Sequence, residues 1–188
     1  MSQANAEAGR SIEERVLLRL PTPVVRLLMR GLVRLPPGSR LRRRMLKRGI
    51  TRGMDAGGRE DYAVPLLFYE RDAEFRNLTR AARALGLPER YDGHQGFIDF
   101  WRDWREDLDD FRAQPEQIID LGDRVALRMS AGGRGRASGV PTSQMMGTIY
   151  YFSPRGLVAR QDVYWTWEET LDALSDHGEA LRAAGLSD

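Results

Sequence analysis

The chain has 188 residues, 41% of them hydrophobic and 30% charged, which describes one soluble globular domain with room for an extension. No run approaches the roughly 18 to 20 apolar residues of a membrane-spanning helix, and the opening MSQANAEAGR lacks the apolar stretch of a secretory signal, which places the protein in the cytoplasm. Zero Cys and only two His, His94 and His177, exclude disulfides, thiolate nucleophiles and Cys-built metal centres and leave little for a His-driven triad.

Residues 1–10 are small and polar and predict a disordered tail. Residues 11–50 form a basic helical extension. Twelve Arg and Lys47 lie between Arg10 and Arg52 against Glu13 and Glu14, whereas residues 53–188 carry sixteen Arg against twenty-four acidic residues. Within it, Val24, Leu27, Leu28, Leu32 and Leu35 share one helical face and Arg26, Arg30 and Arg34 the other, predicting an amphipathic helix over 23–35 that starts at Pro23 and stops at Pro36-Pro37-Gly38. A second helix, with Ser39 at its N-cap, runs from about Arg40 to Asp55, carries Arg42, Arg43, Arg44, Lys47 and Arg48, and precedes a Gly57-Gly58 break. Asp61 then caps a short helix through Tyr69.

A first strand is expected at Asp72–Leu78 and a helix at Arg80–Leu85, ended by Leu87-Pro88. Phe97, Phe100, Trp101, Trp104, Leu108 and Phe111 then recur at helical spacing with charged residues between them, predicting a long amphipathic helix. After Pro115 the pattern turns to strands at 116–121, 124–130, 143–152 and 157–165, with a Gly-rich loop at 131–139. Thr166 with Glu169 three residues on is a capping box opening a final helix to about Ala184, before a tail at 185–188. Helices followed by an antiparallel meander make an α+β fold with helices on one face of a curved sheet. No internal repeat is present.

The segments Tyr69-Glu70-Arg71-Asp72-Ala73-Glu74-Phe75, Tyr91-Asp92-Gly93-His94-Gln95-Gly96, Ile119-Asp120-Leu121-Gly122-Asp123-Arg124-Val125, Ser138-Gly139-Val140 and Gly156-Leu157-Val158-Ala159-Arg160 ahead of Tyr164 resemble, in order and spacing, the SnoaL-like family of the nuclear transport factor 2-like, cystatin-like α+β superfamily. The resemblance implies a domain over 51–184: a cone-shaped, bent, mainly antiparallel sheet wrapped around helices with an apolar pocket in its concavity. It also implies a homodimer. The superfamily spans cyclases, isomerases, hydrolases and non-catalytic domains, so the residues must decide function.

Set against the isomerases of the superfamily, the positions of the carboxylate base and of the oxyanion-stabilising tyrosine fall on Asn77 and Gly53, neither of which can do that work. Against the epoxide hydrolases, the Arg matches Arg128 but the two Asp positions fall on Ser130 and Val163; Asp162 would need a one-residue slip, which turns a strand side chain to the other face. The resemblance leaves a pocket formed by Trp101, Trp104, Arg128, Gln161 and Trp165, with Arg128 as polar anchor for a carboxylate, phenolate or enolate oxygen.

His94, between Gly93 and Gly96, reads as a capping and turn residue rather than a base, and Asp92 with His94 lacks further ligands, so neither a metal nor a cofactor is expected. Gly132-Gly133-Arg134-Gly135-Arg136 lies between strands and reads as a flexible hairpin, because a phosphate loop must lead into a helix. Two functions stay open. One is a binder of a small, largely apolar ligand, with or without proton transfer on a carbonyl or polyketide-like substrate. The other is a non-catalytic ligand- or partner-binding domain docked by its Arg-rich helices to an anionic membrane surface or an acidic partner. For those helices the retained expectation is that the apolar face caps the domain while the Arg residues are solvated or pair with its acidic surface. Nucleic-acid readout is disfavoured for want of a recognition helix or stacking platform.

Overall fold

The computed structural model describes residues 9–78, 86–178 and 181. The expected helix at 80–85, most of the N-terminal tail and the C-terminal tail lie outside the described residues. The elements run α1 (Ile12–Arg19), α2 (Thr22–Arg34), α3 (Arg40–Gly58), α4 (Ala63–Leu66), β1 (Tyr69–Asn77), β2 (Arg90–Asp92), α5 (Gly93–Arg105), β3 (Leu108–Asp120), β4 (Arg124–Gly135), β5 (Pro141–Phe152), β6 (Val158–Tyr164) and α6 (Trp167–Asp172), with a 3₁₀ turn at Ser175–His177.

Six strands form one sheet in the order β2-β1-β6-β5-β4-β3. The expected meander of β3 to β6 is antiparallel throughout, while β1 joins β6 in parallel and β2 closes that edge antiparallel to β1. Strand alternation divides the core in two. On the concave face Phe75, Leu127, Met129, Met146 and Val163 pack with Phe97 and Phe100 of α5 and Met54 of α3. On the opposite face Ala126, Ile149 and Tyr164 pack under Trp167 of α6, Leu174 and Leu181. Helices therefore cover both faces, not one: the apolar residues of the second set would otherwise face water.

Several boundaries differ from the sequence pattern. The aromatic helix stops at Arg105, and Leu108 and Phe111 belong to β3. Spacings of three and four residues suit a helix, but Phe111 and Ala113 also alternate on the concave face of a strand, and cross-strand pairing with β4 begins at Leu108 opposite Gly135. The Gly-rich stretch is likewise strand as far as Gly135. A Cβ at Gly132 would lie 2.1 Å from the Thr142 carbonyl oxygen and one at Gly133 2.6 Å from that of Asp109, so these glycines serve close backbone approach between neighbouring strands. The capping box Thr166–Glu169 forms as read; α6 ends at Asp172 and gives way to the 3₁₀ turn, while most of the expected helix beyond residue 178 lies outside the described residues. Asp61 does not cap α4. Its carboxylate is buried and takes both Nε and Nη2 of Arg10, at 2.6 and 2.8 Å.

The N-terminal helices are tied to the domain by charge. Ser11 and Glu14 form a capping box that opens α1, a helix not read from the sequence although the Ser-x-x-Glu signal was there. Glu14 is buried and accepts from Arg59 at 2.8 Å, while Glu13 pairs with Arg48 and Arg52. Arg42, 1% exposed, donates to the carbonyls of Val33 and Leu35 at the end of α2, to Asp120 Oδ1 at 2.8 Å and to the Gly122 carbonyl in the β3–β4 turn. Its Nε lies 2.7 Å from Asp120 Oδ2, an ion pair bent too far to count as a hydrogen bond. Arg42 is therefore no phosphate contact; it is the internal staple of α2, α3 and the sheet. α3 runs unbroken from Arg40 to Gly58, carrying the chain from this staple to the concave core.

The apolar face of α2 caps the domain only in part, since Leu32 and Leu35 are half-buried. Val24, Leu27 and Leu28 are exposed, and Val25 is the residue of that helix that is buried. No helix among the described residues is long and apolar enough to cross a membrane.

Candidate functional site in the concave face

The concave face is roofed by α5, which lays Phe97, Phe100, Trp101 and Trp104 across β1 and the central strands. Its start is fixed by contacts with β1 and β2: His94 Nε2 lies 3.3 Å from the Tyr69 carbonyl oxygen, and Asp92 pairs with Arg90 at 2.8 Å. Both groups are thus engaged structurally. Among the described residues no cluster of three metal-ligating side chains occurs.

Between α5 and the sheet lies a cavity of about 20 Å³, room for about one water molecule. Apolar side chains of Met54, Phe100, Phe111, Met129, Met146 and Val163 make most of its wall. The polar groups are the indoles of Trp101 and Trp104, the Tyr150 phenol and the Gln161 amide. The indole Nε1–H groups of Trp101 and Trp104 are both buried without a hydrogen-bond partner. Gln161 Oε1 accepts from the Tyr69 hydroxyl at 2.6 Å, in a fully buried pair. Burial drives the phenol pKa of both Tyr69 and Tyr150 upward, so both remain neutral donors at any physiological pH. Among the described residues no carboxylate, imidazole or amine lines this cavity.

Three of the five expected pocket residues, Trp101, Trp104 and Gln161, meet here. Trp165 stands just outside the wall, stacked on Trp104 with ring centroids 5.8 Å apart and held by its backbone N–H donating to Glu169 Oε2 at 3.1 Å. Arg128 is a correction. Leu127 and Met129 on either side of it enter the concave core, so Arg128 points to the opposite face, where its Nε lies 3.8 Å from Glu116. The same parity removes Ser130 and Asp162 from the cavity. Asp162 is buried beside Arg160 at 3.1 Å, and burial raises its pKa. Asn77 is fully buried at the end of β1, opposite Val163 in the β1–β6 register. Tyr150 and Met54 were missed; the aromatic run Tyr150-Tyr151-Phe152 carried the signal for the first, while nothing local distinguished the second. A wider, solvent-open groove of about 370 Å³ lies against Arg112, Ser130, Arg134 and Thr142 on the other face of the sheet, away from this site.

A bent six-stranded sheet closing on a long helix over an apolar concavity defines a nuclear transport factor 2-like fold. The chain belongs to the SnoaL-like domain family, whose profile matches residues 50–161. Solved structures agree on the fold. A nuclear transport factor 2-like protein of unknown function from Burkholderia pseudomallei superimposes with a TM-score of 0.55 at 17% identity, over 66% of this chain and 93% of that one. TerC, crystallised with polyporic acid, gives 0.55 at 18% identity, over 66% and 94%. A Jannaschia protein carrying the description SnoaL-like polyketide cyclase gives 0.53 at 15% identity, over 68% and 90%. Comparison with curated proteins finds no match.

Proposed function

We infer that this SnoaL-like domain binds a small, largely apolar ligand bearing a hydrogen-bond-accepting oxygen, of the carbonyl, quinone or polyketide kind, in the concave cavity. The observation that carries this is the pair of buried, unpartnered indole N–H groups on Trp101 and Trp104, two of the four polar side chains in a mostly apolar wall. A buried donor left unsatisfied costs about 1–3 kcal/mol, which an accepting oxygen would recover. The void is only about 20 Å³, so the ligand enters by displacing side chains, and the Trp104–Trp165 stack at its margin is the movable part. Proton transfer of the cyclase or isomerase kind needs a base that this wall lacks, so the lining supports binding over catalysis. The structural neighbour crystallised with polyporic acid makes that hydroxyquinone the natural first probe.

The test is a titration with polyporic acid followed by tryptophan fluorescence. Saturable quenching is expected, weakened about five- to tenfold by Trp101→Phe or Trp104→Phe, because phenylalanine keeps the ring and loses one hydrogen bond of about 1 kcal/mol. Arg128→Ala, on the other face, should leave the affinity unchanged. Equal affinity in both tryptophan variants would remove the donor role.

A further inference from the structure

We propose that the N-terminal helices are an interfacial surface for anionic phospholipid, with α2 lying in the headgroup plane and its apolar stripe turned into the bilayer. Successive residues advance by about 100° around a helix, so Val24, Leu27 and Leu28 share one side of α2. The side turned to the protein is fixed by buried Val25 and by the β5–β6 turn, whose Gly156 reaches the backbone of Met29 and Arg30. Leu27, 70% exposed, therefore projects away from the domain, with Arg34 about 20° from it around the helix and with Arg30 and Leu28, 58% exposed, on its two flanks. A solvated surface helix has the reverse arrangement. Exposed pairs at i, i+4 recur on the neighbouring helices, Ile12 and Val16 on α1 and Leu41 and Met45 on α3, so seven of the nine exposed large apolar side chains among the described residues lie within residues 12–45.

The charge around this stripe has one sign. From Arg15 to Met54 the sequence holds no acidic residue and twelve basic ones. Arg42 is internal, and Arg48 and Arg52 share the single carboxylate of Glu13, which offsets one of their two charges. The others, including Arg30, Arg34, Arg43, Arg44 and Lys47, have no ion pair among the described residues. Apolar side chains outermost with cations at their flank match the layering of a bilayer, acyl chains behind a sheet of phosphates. They match a second copy poorly, because a two-fold contact would set one row of arginines against its own image. They match a nucleic acid poorly too, because Leu27 and Leu28 would meet the phosphates first.

The experiment uses the full chain with vesicles of phosphatidylcholine alone or with about 30% phosphatidylglycerol. The chain has no cysteine, so Leu28→Cys and, as a distant exposed control, Val140→Cys each take one polarity-sensitive fluorophore. The proposal expects co-sedimentation with the anionic vesicles only, weakened by salt, and a blue shift at position 28 but not at 140. The double variant Leu27→Glu/Leu28→Glu, at exposed positions and checked for native circular dichroism, should lose at least about tenfold in binding, and Arg30→Glu/Arg34→Glu a comparable factor. Absence of anionic-vesicle binding by the native chain overturns the proposal. So does vesicle binding without a blue shift at position 28, a dimer that the Leu27→Glu/Leu28→Glu variant dissociates without lipid, or binding to double-stranded DNA in place of vesicles.

Discussion

Replacing Arg42 with alanine is expected to lower the stability of the fold by about 3–5 kcal/mol, because it strands the buried Asp120 carboxylate and the carbonyls of Val33, Leu35 and Gly122 at once. Urea unfolding measures it, and the neighbouring exposed Arg43→Ala supplies the comparison, expected within about 0.5 kcal/mol of the native chain. Equal stability of the two variants would mean that Arg42 contributes no more than a surface residue. Asp120→Ala should reproduce most of the loss, and the double variant should cost less than the sum, since each single change leaves the other charge buried alone.

A second large effect is expected at Gly156. Its φ is +86°, a conformation that costs an ordinary residue about 1–2 kcal/mol. In addition, a Cβ there would lie 2.6 to 2.7 Å from backbone atoms of Met29 and Arg30. Backbone flanks the gap on both sides, so neither partner yields by a simple rotamer change. Gly156→Ala should therefore destabilise by about 2–4 kcal/mol, the dihedral cost plus overpacking. Its signature is local: hydrogen exchange should speed up over α2 and the β5–β6 turn ahead of the sheet. Gly139→Ala isolates the dihedral cost, since Gly139 also has a positive φ, +66°, but nothing within 4 Å of its Cβ position. If the two alanine variants lose equal stability and leave α2 equally protected, the turn does not hold the helix.

Much of the fold was legible because its signals are local. The β3–β6 meander follows from β-branched and aromatic runs between turn residues, and the Thr166–Glu169 box is a three-residue pattern. The failures share a cause: they depend on which neighbour a residue meets. Phe111 satisfies helical and strand spacing alike, and only its pairing with β4 decides. Arg128 alternates with Leu127 and Met129, and on a strand one position exchanges the pocket for the outer face. Arg42, Arg43 and Arg44 are indistinguishable in sequence, yet one is the best-buried charge among the described residues and its two successors face water. The amphipathic pattern of α2 was plain; that Val25, not the Leu stripe, meets the domain could not be read from periodicity, which gives a helix two faces without saying which is inside. At the site, the aromatic stripe of α5 brings Trp101 and Trp104 to the cavity wall, whereas Tyr150 and Met54 join them only through the closing of the sheet on the helices.

The unbroken helix α3 has a mechanical consequence. Leu41 near its start is exposed beside α2, and Met54 near its end is part of the cavity wall. Thirteen residues of α-helix separate them by about 20 Å of stiff rod. A domain resting on lipid through one end of that rod would meet its apolar ligand in two dimensions, drawing on molecules already dissolved in the membrane instead of the trace that water holds. Because Arg42 ties the start of that rod to the β3–β4 turn, the lipid contact would set the height and angle at which the cavity stands above the membrane.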